Sequence, residues 1–392
     1  MRGGSLNKEL YEAGIKASPS AFSQQRGKVP LSVFEDVLEL FNQQCRDTKT
    51  FKGYRVYAVD GTTVNMARNP DSESFMRGRS GSKDRDEAKG YNQLHLTPLY
   101  DIMNKTYKCC VIQPQPKQDE VGALTLLLSL CGDLFEEPTL IVGDRGYESY
   151  NTFAYFQEHD NIDFLIRVKN GTSGMKAIRE LPLQELDTDV AFTLTTTQTK
   201  ADKANSNIYI NTHKNSNRNY KSRARRWIYG SPFNMKFRVV RVLLDSGEYE
   251  TLATSLPRSI TASEIKELYH SRWGIETSFR ELKYAIGLVN LHGKKDDFVK
   301  QEIYAAMILN NFASRVVNHT IMGEQDRNNA LTYKVNQKMA VYLCREFLRK
   351  DSDGRRLMED VARYTEAVRP DRSDTRNIRA QFFRGFIYRV SA

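Results

Sequence analysis

The chain has 392 residues, with 58 Lys and Arg against 48 Asp and Glu and a formal net charge of +10. At roughly 100–200 residues per domain, this length predicts two or three structural units and a substantial core. With 40% apolar and 27% charged residues, wholesale disorder and collagen-like structure are excluded, and the positive balance favours a polyanionic partner.

In chain order, residues 1–50 read as helical: Pro30 suits a helix start, and Leu31, Phe34, Val37, Leu38 and Phe41 follow at helical spacing. Tyr54 to Val59 is a short β-rich run ending at Asp60-Gly61-Thr62. Residues 66–90 are polar and of mixed charge, as an exposed loop would be. Leu94 to Leu99 and Thr106 to Ile112 are strand candidates joined by a turn, and Asp119 to Leu134 is a helix apolar nearly all round. Thr139 to Val142 is a continuous apolar strand that runs into Gly143-Asp144-Arg145-Gly146-Tyr147, and after a short helix Phe164 to Val168 is another strand. From 170 to 250 the texture changes to Thr, Asn, Ser and Tyr with β-type alternation, which reads as a separate β-rich insert, with Leu252 to Leu256 returning to the first sheet. Ser263 to Thr320 is helical with an interruption near Gly293, further helices occupy 331–366, and the tail is rich in Arg and aromatics.

The longest apolar stretch, Ala123 to Cys131, is about half of the roughly 20 residues a membrane span needs. The opening MRGGSLNKELYE lacks the apolar segment of a secretory signal. Five cysteines without a C-x-x-C pair and six histidines without H-E-x-x-H argue against a disulfide framework or a zinc site. Any catalytic metal should therefore be a hard ion held by carboxylates. The expectation is a soluble cytoplasmic protein with no membrane partner.

Three carboxylates stand out by context. Asp60 and Asp144 each follow an apolar strand, where Asp-Gly is also ordinary turn chemistry. Glu276 lies on a helix whose Leu268, Ile275, Phe279, Leu282 and Ile286 form one apolar stripe. Tyr269, Glu276 and Lys283 form a second stripe bordering it, with Arg272 one turn before Glu276, although such charges also pair on exposed helix faces.

The spacing Tyr-x2-Arg-x3-Glu-x6-Lys, met by Tyr269, Arg272, Glu276 and Lys283, resembles the signature of bacterial insertion-sequence DDE transposases of the insertion-sequence-four type. RWGIETSFRELKYAIGL, AVDGTT at Asp60, GDRGY at Asp144 and SAFSQQR at Ser20–Arg26 look like the same family, so the likeness runs from about residue 18 to 325. The resemblance implies an α/β fold: a ribonuclease-H-like mixed sheet core interrupted by a β-rich insertion, with helical flanks. The units would be a helical 1–53, which would be a reduced DNA-binding region because only 59 residues precede Asp60; the core in two parts, 54–169 and 252–325; the insertion at 170–251; and a helical region with basic tail at 326–392.

It further implies that Asp60, Asp144 and Glu276 are catalytic and hold two Mg²⁺ ions, with Mn²⁺ expected to substitute, because three converging carboxylates repel unless cations neutralise them. The reaction would nick DNA at element ends, form and open a hairpin, and join the freed 3′-OH to target DNA. Tyr269, Arg272 and Lys283 would meet phosphates or support Glu276, and Arg145 would touch phosphate or pair with an acid. The run from Lys214 to Arg226, which includes Arg225 and Arg226 and contains no acid, followed by Trp227, has the composition of a DNA-binding surface. Trp227 would stack a flipped base or belong to the core. Partners would be double-stranded DNA, both terminal inverted repeats and target, and a second copy in a homodimer assembled on DNA, nucleoid-associated in a bacterium. An inactive DNA-binding relative and a purely hydrolytic ribonuclease-H-like nuclease are the competing readings.

Overall fold

The computed structural model describes residues 6–45, 49–78, 89–132, 136–171, 174–206, 208–212, 227–289, 291, 293–320, 333–350 and 353–368. The strands are β1 (Arg55–Val59), β2 (Thr62–Met66), β3 (Phe75–Met76), β4 (Tyr91–Asp101), β5 (Thr106–Pro114), β6 (Thr139–Gly143), β7 (Ile162–Val168), β8 (Leu186–Thr195), β9 (Tyr209–Asn211), β10 (Phe233–Leu243), β11 (Tyr249–Thr254), β12 (Tyr333–Val335) and β13 (Thr365–Ala367). The helices are α1 (Leu6–Glu12), α2 (Pro19–Arg26), α3 (Leu31–Gln44), α4 (Glu120–Leu130), α5 (Tyr150–Gln157), α6 (Lys176–Arg179), α7 (Lys200–Ala204), α8 (Ala262–Ser271), α9 (Trp273–Arg280), α10 (Asp296–His319), α11 (Gln337–Lys350) and α12 (Gly354–Arg363).

Among the described residues, eleven strands form one mixed sheet in the order β2-β4-β1-β6-β7-β11-β10-β8-β9, with β3 and β5 also paired to β4. At its centre β1, β6 and β7 run parallel, while β4 and β11 flank them antiparallel. The continuous apolar run of β6 is what a strand covered on both faces requires, and every residue of it is buried. Alternation along the strands divides the core. Tyr57, Val59, Ile141, Phe164 and Ile166 pack with Leu124, Leu127 and Phe153 from α4 and α5 on one face. On the other, Val56, Leu140 and Leu252 meet Leu268 and Tyr269 of α8, and Ala58 meets Ile275 and Phe279 of α9.

The segment after residue 170 is more tightly joined than a separate insert would be. Strands β8 to β10 extend the same sheet, because β11 pairs with β7 on one side and with β10 on the other. Its antiparallel register with β7, Thr251 opposite Val168 and Thr254 opposite Leu165, is the return of the chain to the first sheet. Strand β2 corrects the reading of Asp60-Gly61 as a terminating turn. Both β1 and β2 pair with β4, Val59 opposite Leu99 and Thr62 opposite Leu96, so the chain interrupts itself for two residues and continues along the same neighbour. At the N-terminus, Arg26 of SAFSQQR reaches Glu302 at 3.1 Å, Gln301 at 2.8 Å and the Phe298 carbonyl at 2.6 Å, docking α2 on α10.

Candidate active site

Parallel registration puts the two aspartates side by side. Val59 is paired with Gly143, so Asp60 and Asp144 leave the ends of adjacent strands together, ~5 Å apart along the sheet. Each carboxylate is steadied by the loop that carries it: Gly61 N donates to Asp60 Oδ1 at 2.8 Å and Gly146 N to Asp144 Oδ1 at 2.7 Å.

The glutamate arrives from the helical run over this end of the sheet. Thr261 starts α8 with a reciprocal cap, its hydroxyl accepting from Glu264 N while Glu264 accepts from Thr261 N. The predicted stripe is the anchoring face: Leu268, Ile275, Phe279, Leu282 and Ile286 are all buried, each worth roughly 1.5–3 kcal/mol. The run is not one straight helix, because α8 stops at Ser271, α9 begins at Trp273, and a wider π-helical turn spans Glu281–Ile286 before Gly287, whose φ of +102° closes it.

Arg272 sits at the junction of α8 and α9 and joins the two carboxylates. Its Nη1 donates to Asp60 Oδ2 at 3.1 Å and its Nη2 to Glu276 Oε1 at 3.2 Å. The guanidinium is buried and lies over the Tyr269 ring, 5.7 Å from its centroid. Lys283 reaches the same strand junction, its Nζ donating to Thr62 Oγ1 at 2.7 Å, and desolvation lowers its pKa. Burial raises the Asp60 carboxyl to about 6; Arg272 and Gly61 N oppose the rise, and the charges of Asp144 and Glu276 add to it. The electrostatics thus tie all three carboxylates to one another across the site.

The remaining predicted residues divide. Arg145 is exposed beside Asp144. Tyr269 is only 2% exposed and forms a floor under Arg272. Trp227 packs against Tyr229 and Phe233, each at 5.3 Å between ring centroids, and donates to Gly230 O at 3.1 Å, so its surroundings are those of the core alternative. Arg225, Arg226 and the rest of the basic run, and the tail beyond 368, lie outside the described residues. Two residues were missed. Trp273 is 64% exposed one position after Arg272 and stacks on His270. Its place off the Leu268–Ile286 stripe was the signal available. Glu120, at the start of α4, approaches both Asp-Gly loops, and sequence offers only a helix-start pattern there.

The family model described as a transposase DDE domain matches residues 51–312. The chain belongs to the DDE transposase family. The matched span contains Asp60, Asp144 and Glu276. No curated protein matches the transposase. Among solved structures it is similar to a piggyBac transposase, described as a cryo-EM structure of the synaptic complex with hairpin DNA, at 13% identity and a TM-score of 0.40, covering 91% of this chain and 67% of that one.

Among the described residues of the transposase, no three His, Cys, Asp or Glu side chains stand close enough to hold a metal ion as they are. The donor chemistry nonetheless suits a hard divalent cation: carboxylate oxygens only, two from adjoining strand ends and one from the helix above. Arg272 is the cation that Asp60 and Glu276 share here. Among the described residues no helix is long and apolar enough to cross a membrane.

Proposed function

We propose that this DDE transposase is of the insertion-sequence-four type, with a ribonuclease-H-like core, and cuts DNA at element ends before joining the freed 3′-OH to target DNA. The observation that carries the reading is that Asp60 and Glu276, distant in sequence, meet on one buried Arg272 beside Asp144. Asp60, Asp144 and Glu276 would hold two divalent cations, Mg²⁺ or in its place Mn²⁺. When bound, they supply activation of the attacking oxygen and stabilisation of the leaving one during in-line displacement.

The chain's own groups do the positioning. Arg272 keeps Asp60 and Glu276 aimed at one point, and Tyr269 keeps Arg272 in plane. Lys283, held by Thr62, and exposed Arg145 put positive charge beside the carboxylates, where a scissile phosphate brings its negative charge. Exposed Trp273 offers a base an aromatic face next to the cut, which suits it to stacking better than the packed Trp227. Hydrolysis frees a 3′-OH, which attacks the opposite strand: a new P–O3′ bond closes a hairpin as the bond to the flanking DNA breaks. A second hydrolysis opens the hairpin. Working on two ends implies a homodimer assembled on DNA, with the basic segments around 214–226 and 369–392 as backbone contacts. The chain would divide into an N-terminal helical region at 1–53, a core split into 54–169 and 252–325, the 170–251 segment and a C-terminal region at 326–392.

The test is incubation with Mg²⁺ and labelled duplex carrying the inverted repeats that flank the gene. Nicks followed by hairpins, lost in Asp60→Asn and Glu276→Gln, are expected. Equal cleavage by Glu276→Gln would overturn the assignment, and nicks without hairpins would favour a hydrolytic nuclease.

A further inference from the structure

The gap between the two aspartate loops is filled by a carboxylate that the triad does not include. Gly61 has no room for a side chain: a Cβ there would overlap the Glu120 carboxylate and stand 2.6 Å from the His95 ring. A Cβ at Gly146 would lie 2.9 Å from Asp144 Oδ1 and 3.6 Å from Glu120 Oε2. Gly61, next to Asp60, and Gly146, two residues after Asp144, therefore open both loops to one glutamate. Glu120 is held there by His95 Nε2 at 3.3 Å and by Gln118 Nε2, which donates to Oε1 at 3.1 Å. The contact with His95 outweighs burial and keeps the carboxyl below its ordinary range.

Two buried polar groups around it are unsatisfied, which native interiors avoid. His95 is 3% exposed, and while its Nε2 faces Glu120, its Nδ1 has no hydrogen-bond partner. The Tyr147 side chain is fully buried with an unbonded hydroxyl, and its charged neighbours are Glu120, Asp60, Asp144 and Arg272. An unbonded hydroxyl and an unbonded ring nitrogen, both able to accept, beside three carboxylates describe a site completed by something small and positively charged that also donates hydrogen bonds, such as a hydrated divalent cation, because Mg²⁺ keeps several of its waters and those waters donate.

We propose that Glu120 is a fourth carboxylate of the transposase centre, a positioning residue that sets divalent-cation affinity from between the Asp60 and Asp144 loops. This rests on the assignment of those aspartates as cation ligands. It extends the centre from the helix-borne Glu276 on one side to α4 on the other, with His95 orienting Glu120 as a histidine–carboxylate pair orients ligands elsewhere.

Titration of Mn²⁺ into the full-length chain without DNA, by calorimetry and by loss of the free-ion paramagnetic signal, reads the proposal apart from activity. Wild type is expected to bind, Asp60→Asn to lose binding, and Glu120→Gln to bind 10- to 100-fold more weakly while its metal-free circular dichroism is unchanged. Glu120→Asp, which keeps the charge on a shorter arm, should fall between. Wild-type affinity in Glu120→Gln alongside loss in Asp60→Asn overturns this inference and leaves the proposed function standing. Absence of binding in wild type, or full binding in Asp60→Asn, overturns both. If Glu120→Gln does not fold, Glu120→Asp decides: weakened binding supports the proposal, and wild-type affinity overturns it.

Discussion

Replacing Asp60 by Asn should make the metal-free protein more stable while abolishing its chemistry. Burial lifts the Asp60 carboxyl from 3.8 to about 6, against the pull of Arg272 and Gly61 N. Below pH 4 the group is protonated in both folded and unfolded chains and no penalty exists. Between pH 4 and 6 the unfolded chain releases the proton and the folded one retains it, so stability falls as pH rises; above the folded value the penalty is constant. Linkage puts it at about 3 kcal/mol at pH 7.5 and about 1 kcal/mol at pH 4.5. Asparagine avoids the charge, and its oxygen can still accept from Arg272. Urea unfolding of wild type and Asp60→Asn at the two pH values is the assay, and the stability difference in favour of Asn should grow severalfold from pH 4.5 to 7.5. Added Mg²⁺ should then stabilise wild type more than the variant, because it binds the folded carboxylates. A difference of the same size at both pH values, or a less stable Asp60→Asn at pH 7.5, would refute the reasoning.

Arg272→Gln removes the charge shared by Asp60 and Glu276 and should cost about 3–5 kcal/mol in the absence of metal, with part of the loss recovered in Mg²⁺, read from urea midpoints. Gly61→Ala forces Glu120 and His95 aside and should lower stability by about 1–3 kcal/mol and end cleavage, measured by thermal melting and duplex nicking. The two tryptophans should separate: Trp273→Ala leaves the melting midpoint in place and weakens single-strand binding by about 1–3 kcal/mol, whereas Trp227→Ala lowers the midpoint. Lys283→Met should weaken binding to all sequences alike and reduce the slope of log affinity against log salt by about 1.

The legible parts of the molecule were those written in local pattern. The apolar run in TLIVG marked a strand, which the structure buries along its whole length, and the apolar stripe from Leu268 to Ile286 named the buried side of the glutamate helix. What pattern could not convey was registry between distant segments. Asp60-Gly61 has the composition of a turn, and only the presence of β4 alongside makes it a two-residue break in a strand that goes on as β2. Glu120 follows Asp119 at a helix start, where acidic residues are favoured locally; nothing nearby in sequence marks the glycines that admit it. Trp227 follows a basic run, and its sequence left base stacking and core packing both open; Phe233, six residues on, gives it a place to pack. The break between α8 and α9 is likewise unmarked, since Ser271-Arg272 is compatible with a continuous helix.

The sharing of β11 between β7 and β10 has a consequence for engineering. A modular insert could be excised at its hinges to leave a smaller catalytic unit. Here, trimming β8 to β10 would strip the neighbour from one side of β11 and uncover Leu252 and Ala253, both completely inaccessible in the intact protein. The truncated molecule would carry an unguarded ladder of backbone donors and acceptors on an apolar strip, a template for adding strands from other molecules. Minimal versions of this enzyme therefore need a capped edge, with charged or proline substitutions on β11, before any loss of activity can be blamed on the missing residues.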